Sequence, residues 1–542
     1  MPATTYNKVP AHDQQQPEPE GQGQRNDDED ESHDHDEQLT TYTPQPLVGD
    51  PNQDLQLQPE KLTDSAAAGD LVLSVDDAIE RLGMGRFQLI VLIVAGLCFS
   101  ADAMQVLQLT FLSEIFRSKW NLTDDETALI LSILFIGAIF GTLSLGPLAD
   151  KKGRKPVFLL ASSIISFFGV GVAMVNSYWA LLANLFMVGW GIGGLTVPFD
   201  ILAELLPNAS RGKNLLVIQY FWTIGVLLVV CTAFYTLGDG QGSSNWRLFV
   251  ITCSVPCWLS VIIGYFIVPE SPRWLCSQGR CEEAIEILRY AAKTNGHDAD
   301  LLFPEGSQLH QEEEESSDFC ELFSKRWRWT TINLWGAWAF FAFGYYGTLE
   351  ATTDIFDSQG VAENANGFDY GAIFVSSSAE LVGTTVAIFT VDVVGRISLQ
   401  MVAYAMAGIF VFSLYLSAFY DCHRTVLIAF GFGARIFEMA GSCVSWVSAA
   451  EILTTEVRTT GHSAANAVAR IGALFSPFII QGHSSLLKKG MIMLLVHSLT
   501  IAFVSQLPET KGSRLGSSQD ETYEREDDSD DSRFRDEEVD DE

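Results

Sequence analysis

Basic residues are scarce in this chain: 33 Lys and Arg stand against 67 Asp and Glu, a formal net charge of −34. Such a balance excludes nucleic acid as a partner, because that recognition needs a basic footprint. No GxxxxGK[ST] loop is present to cradle phosphates, so ATP hydrolysis is not expected. No catalytic constellation is visible either, and the chain reads as a non-enzyme with no cofactor and no metal. The nine cysteines are scattered, mostly within apolar spans, which excludes a disulfide framework. The acidic N-terminal stretch lacks both the apolar core of a signal peptide and the Arg-rich, acid-poor character of a transit peptide. The first apolar span is then the signal anchor.

Apolar length is abundant. Roughly twelve nearly uncharged runs of about 20 residues recur, the length that crosses about 30 Å of hydrocarbon. They lie near 87–111, 127–148, 155–176, 179–201, 213–237, 247–268, 329–350, 370–391, 397–420, 425–449, 461–482 and 488–507. Gly, Ala and Ser within them permit close helix packing in lipid. The alternating pattern of a membrane barrel is absent. The fold class is therefore an all-α membrane protein, with twelve helices in two groups of six.

Most of the negative charge lies outside that body. Residues 1–73 and 508–542 read as acidic, disordered tails, too poor in large apolar residues to fold. They are solvated tethers or docking sites for tail-binding proteins. Between them lie a first half at 74–268, a polar central loop at 269–328 and a second half at 329–507. Lys and Arg concentrate on one side if both termini are cytosolic, which sets the orientation. The sequon at Asn121 then falls in the first external loop and is a glycosylation candidate, whereas Asn208 faces the cytosol. Ser74 opens a short helix, Val75 to Leu82, whose apolar face of Val75, Ala78, Ile79 and Leu82 suits the cytosolic membrane surface.

The body also repeats itself about 240 residues apart. Asp150, Gly153 and Arg154, followed by Lys155, return as Asp392, Gly395 and Arg396. Glu204 and Arg211 are echoed by Glu451 and Arg458, and Pro269-Glu270-Ser271 by Pro508-Glu509-Thr510. A glycine permits each tight turn. The charges around it can close the cytosolic side in one conformation and part in another, or they can simply hold positive charge inside.

These residues carry a resemblance. The DxxGRK turn, the run from Glu204 to Gly212, Pro269 to Trp274 and Pro508 to Gly512 resemble the sugar-porter-type signatures of the major facilitator superfamily. The stretches at 75–88, 100–104, 328–347 and 469–478 are similar to its synaptic vesicle glycoprotein-related branch, which includes organic-cation and nicotinate-type carriers. The resemblance covers about 75–510. It implies a monomeric carrier of two six-helix bundles, working by alternating access with a substrate site at their seam.

Charges inside apolar spans normally face a partner or a wet cavity, since each costs on the order of 2.5–3.5 kcal/mol on insertion scales. Asp102, with Gln105 and Gln108 at three-residue steps, reads as a substrate-cation or proton site, or as a buried structural acid. Glu380 and Arg470 match family positions, and His462, Asn466 and Arg470 form one polar stripe. Asp200, Glu350 and Glu438 are further intramembrane acids. Glu438, three residues from Arg435, reads as its partner. Trp222, Tyr346 and Trp446, with Phe221 and Tyr345, are ring candidates beside a cavity. Against the family pattern, Leu185 stands where relatives carry Arg, although its counterpart Arg435 is present and reads as part of the gating charge network. Gln105 and Gln219 stand where relatives often have acids, and an amide releases no proton near neutral pH.

The leading function is secondary transport of a small polar organic solute (an organic cation, a nicotinate-like metabolite or a sugar), with or without a co-transported proton. Asp102, Asp200, Glu350 and Glu380 together lean toward a cationic or zwitterionic solute or toward proton coupling. Gln105, Gln108, Gln219 and Trp446 suit a sugar. The rival reading is a non-transporting sensor or vesicle-resident interaction protein on the same fold. The host membrane is the plasma membrane or an intracellular vesicle or organelle membrane.

Overall fold

The computed structural model describes residues 72–207, 211–237, 245–310, 319–358, 368–453, 455–482 and 484–511. The side chains of Arg211 and Arg458 lie outside that description, as do nearly all of both acidic tails and the sequon at 208. The first half comprises α2 (Arg86–Trp120), α3 (Asp124–Lys152), α4 (Arg154–Val172), α5 (Tyr178–Gly193) with α6 (Thr196–Leu205), α7 (Arg211–Leu237), and α8 (Trp246–Cys253) with α9 (Val255–Ile267). The second comprises α13 (Arg328–Ser358), α14 (Tyr370–Val394), α15 (Arg396–Phe419), α16 (Arg424–Ile452), α17 (Thr455–Ile480) and α18 (Leu486–Val504).

Eleven spans among the described residues are long and apolar enough to cross a membrane. The twelfth helix, α13, falls short because Trp, Tyr, Thr and Gly dilute its hydropathy. It nonetheless packs against α17 and α18 like its counterparts. Two spans read as continuous from the sequence are interrupted. Pro256, which has no N–H to give, enters the first turn of α9 and parts it from α8 at Ser254. The fourth span breaks at Gly194 and Leu195. Helix α2 also outruns its apolar core by about nine residues, because Phe116 stacks on Trp120 and Arg117 pairs with Asp124 beyond it.

The short helix α1 (Val75–Leu82) has its expected bounds, with Ser74 accepting the Asp77 N–H at 3.0 Å. Its setting differs from the sequence expectation. Val75, Ala78, Ile79 and Leu82 are buried within the protein rather than laid on lipid. The central loop folds into α10 (Pro272–Ser277), α11 (Cys281–Asn295) and α12 (Ala299–Leu302), and α1 packs on α11. Strand β1 (Val72–Ser74) pairs in parallel with β2 (Gln308–His310), and Arg273 pairs with Asp76. Asn295 ties this layer to α2, accepting the Phe87 N–H at 2.8 Å and donating to Gln88 at 3.0 Å. An apolar face reveals that it will be buried, not what buries it.

The halves meet along two seams, α3 against α17 and α7 against α14. Ser132 donates to the Leu474 carbonyl at 2.9 Å across the first, and Tyr220 shares a 2.8 Å hydrogen bond with Thr385 across the second.

Candidate functional site

The repeated turns build the same device twice at one end of the molecule. Gly153 and Gly395 have φ of 104° and 101°, values that disfavour any side chain, and each starts a new helix at once. The exposed N–H groups of α4 are then met by Glu270, whose Oε1 accepts from Arg154 at 2.7 Å and Lys155 at 3.1 Å. Glu509 does the same for α15, accepting from Arg396 at 2.8 Å and Ile397 at 3.0 Å. A carboxylate at a helix N-terminus satisfies orphan donors and complements the dipole. The arginine that follows is thereby aimed. Arg154 pairs with Asp150 and lies 3.5 Å from Glu204. Arg396 pairs with Asp392 at 3.2 Å and grips Glu451 through two nitrogens at 2.8 and 2.9 Å. Asp200 stands in the field of Arg154 and Glu204, so it belongs to this end and not to a substrate cavity. Sequence reasoning marked the Pro-Glu-Ser and Pro-Glu-Thr repeats but missed that their carboxylates cap the helices. The repetition itself was the signal.

Arg435 does not join either cluster. It is buried in α16, 3.0 Å from Glu380, with Ser377 as a further partner. Glu438 therefore does not pair with it. His497 of α18 instead meets Glu438 at 2.8 Å. Neighbours on one helix compete poorly with a partner that an adjacent helix presents head-on. Glu380 also accepts from Tyr345 at 3.0 Å, and the Tyr345 oxygen accepts the indole N–H of Trp222 from the first half.

A central cavity opens between the halves, with about 70 Å³ of room for the centres of water-sized molecules. Of the predicted residues it gathers Asp102, Gln219, Trp222, Tyr345, Tyr346, Trp446, Asn466 and Arg470. Gln105, Glu350 and Glu380 are not in its wall. Gln105 is buried and accepts from Gln108 at 2.5 Å. Asp102 and Arg470 face each other across the seam at 3.7 Å. Arg470 also donates to the Tyr346 hydroxyl at 2.9 Å, yet its Nε and the Asp102 Oδ1 are buried without a partner. Ring pairs lie on either side of the cavity along the seam. Phe199 lies 5.6 Å from Trp446 toward the charged turns, and Phe111 lies 4.8 Å from Phe368 toward the other end.

Two six-helix halves around a largely apolar cavity that holds one Asp and one Arg, with matching charged turns at one end, define a multi-pass membrane transporter. Residues 85–521 match the sugar (and other) transporter family, and the chain belongs to it, in the branch of the synaptic vesicle 2-related proteins. It is 30% identical to the synaptic vesicle 2-related protein of Rattus norvegicus over 75% of each chain. It is 29% identical to organic cation/carnitine transporter 7 of Arabidopsis thaliana, over 77% of this chain and 89% of that one. The fold is similar to that of the xylose transporter XylE from E. coli, a structure solved in a partially occluded inward open conformation. The TM-score is 0.65 at 21% identity, covering 79% of this chain and all of that one.

Proposed function

We propose that the chain carries a small zwitterionic organic solute through the central cavity by alternating access, with both termini cytosolic. The observation that carries this is the half-made Asp102–Arg470 pair, in which one oxygen and one nitrogen are buried without partners. A buried polar atom left unpaired costs about 1–3 kcal/mol, so the site gains when a ligand supplies the missing partners. A solute with an ammonium and a carboxylate supplies both. Its cationic end would rest on Asp102 and the faces of Trp222, Tyr346 and Trp446, worth roughly 0.5–2 kcal/mol per ring. Its carboxylate would take the free edge of Arg470.

Asp200, Glu350 and Glu380 do not line the cavity, so the site is balanced in charge and the lean toward a plain cation loses its support. The carnitine in the name of the Arabidopsis relative agrees with a zwitterion. A sugar is the second reading, since Gln219 and Asn466 place two amides beside Trp446.

The test is uptake of carnitine, choline, nicotinate and a hexose into proteoliposomes, with and without an inward proton gradient. Carnitine uptake lost in both Asp102→Asn and Arg470→Gln supports the zwitterion. Choline uptake that survives Arg470→Gln overturns it. Gradient stimulation that disappears in Asp102→Asn assigns proton coupling to Asp102. No uptake of any solute returns the weight to a non-transporting sensor.

A further inference from the structure

A second polar pocket lies at the end of the seam opposite the charged turns, with about 50 Å³ for the centres of water-sized molecules. Residues from both halves line it: Thr110, Ser113 and Thr127 from one, and Glu350, Thr353 and Asp354 from the other. Glu350 is only 4% exposed. Its Oε1 accepts from Ser476 at 3.1 Å, while its Oε2 has no partner and the side chain borders the pocket.

The hydroxyls sharpen the chemistry. Thr110 donates its hydrogen to the Leu107 carbonyl at 2.8 Å and Ser113 to the Thr110 carbonyl at 2.9 Å. Thr127 donates to Thr123 at 2.8 Å and Thr353 to Leu349 at 3.3 Å. With each hydrogen spent on its own helix, the oxygens offer the pocket only lone pairs. Glu114 and Asp354 add carboxylates. The cations nearby are already engaged, Arg117 with Asp124 at 2.5 Å and Lys489 with Asp354 at 3.6 Å. The acids Glu114, Asp124, Glu350 and Asp354 outnumber those two bases.

The geometry points to an outer binding site for an ammonium group, which a cationic or zwitterionic solute occupies before reaching the central cavity. The wall is rich in acceptors, its donors being Arg117, already paired with Asp124, and the Gln481 amide, so it favours a ligand that brings donors. Among the described residues no three His, Cys or carboxylate side chains are grouped to hold a metal ion, and an ammonium group brings the donors that these hydroxyls and carboxylates can accept. At about 10–15 Å³ per water position, the pocket holds a head group and not a whole large solute. The role as a staging site rests on the proposed transport of an ammonium-bearing solute; the binding itself does not.

The test is thermal stability of the full-length protein in nanodiscs, titrated with choline chloride and, in parallel, sodium chloride, in an Asp102→Asn background that weakens the central site. A saturable choline effect whose midpoint rises about tenfold or more on adding Glu350→Gln is expected, since one close charge pair is worth on the order of 1.4 kcal/mol. Superimposed titrations with and without Glu350→Gln overturn the site. An equal, Glu350-dependent effect of sodium overturns the organic cation. Should Glu350→Gln fail to fold, Thr353→Cys provides the second readout. A cationic methanethiosulfonate should modify it roughly tenfold faster than an anionic one, with choline protecting. Equal rates overturn the proposal. Neither readout needs transport, so uptake and this site can fail independently.

Discussion

The two helix-capping glutamates make a comparison in which sequence symmetry and structural detail give different answers. Glu270 gathers its N–H donors on one oxygen: Oε1 accepts from Arg154 at 2.7 Å, Ser271 at 3.0 Å and Lys155 at 3.1 Å. Glu509 divides them, with Oε1 accepting from Arg396 at 2.8 Å and Oε2 from Ile397 at 3.0 Å. Glutamine has one carbonyl oxygen and one NH2. In Glu270→Gln that oxygen can serve every donor, and only the charge–dipole attraction is lost, about 0.3–1 kcal/mol. In Glu509→Gln the NH2 must face an N–H, so one hydrogen bond goes as well, for about 1–2 kcal/mol after allowing for solvent. Alanine at 270 strands the whole set and should cost about 2–3 kcal/mol. The assay is thermal unfolding of purified protein in one detergent, where 1 kcal/mol moves a body of this size by roughly 1–2 °C. The expected order of loss is Glu270→Gln, then Glu509→Gln, then Glu270→Ala. If Glu270→Gln is as damaging as Glu270→Ala, the cap is not what holds the turn and the reasoning fails.

Gly153→Ala and Gly395→Ala each force a side chain into positive φ and drive its Cβ onto the capping glutamate; stability should fall by about 1–2 kcal/mol, read by the same unfolding assay. Asp369 is partly buried, which raises its pKa, but Arg424 at 2.5 Å and the Ala372 N–H outweigh burial and hold it below the ordinary carboxylate value. The folded value is the lower one, so the pair stabilises above the unfolded pKa near 3.9 and is lost as pH falls through the folded value. Asp369→Asn should therefore melt below wild type at pH 7, with the gap closing below about pH 4. Tyr345→Phe should leave Trp222 and Glu380 each short of a partner, weakening this conformation by about 1–3 kcal/mol. Cysteine probes in the cavity wall should then become accessible severalfold faster, without loss of the fold. Asn121 lies exposed at a left-handed helix end, opposite the charged turns, and Asn121→Gln should abolish any glycan shift on a gel.

What the sequence made legible was whatever it stated in charge against an apolar background. Asp102 and Arg470 stood out because each is expensive in a membrane, and the two turns stood out because they occur twice. What stayed hidden depended on the third dimension. The i, i+3 spacing of Arg435 and Glu438 suggested a pair, but Glu380 and His497 approach from other helices and split it. The apolar stripe of α1 did not say whether lipid or α11 would cover it. Asp200 and Glu350 sit in spans, yet depth along a helix separates them from the cavity, and hydropathy does not resolve depth.

The difference between packing inside a half and packing across the seam bears directly on how such a molecule could move. Within the first half, a Cβ at Gly189 would collide with the Leu134 carbonyl, so α3 and α5 touch backbone to backbone. Contacts that close are lost outright by a small displacement, which makes each half behave as a rigid block. The described polar links across the seam are of another kind: single side-chain bonds such as Ser132 to Leu474 and Tyr220 to Thr385, and the stretched Asp102–Arg470 pair at 3.7 Å. Each is worth about 0.5–1.5 kcal/mol net, and water or a solute can replace its partners when the seam opens. The stiff interfaces therefore lie inside the halves and the exchangeable ones between them. A solute bound at Asp102 and Arg470 acts on the exchangeable set, where a differential of about 1.4 kcal/mol between two arrangements already shifts their ratio tenfold.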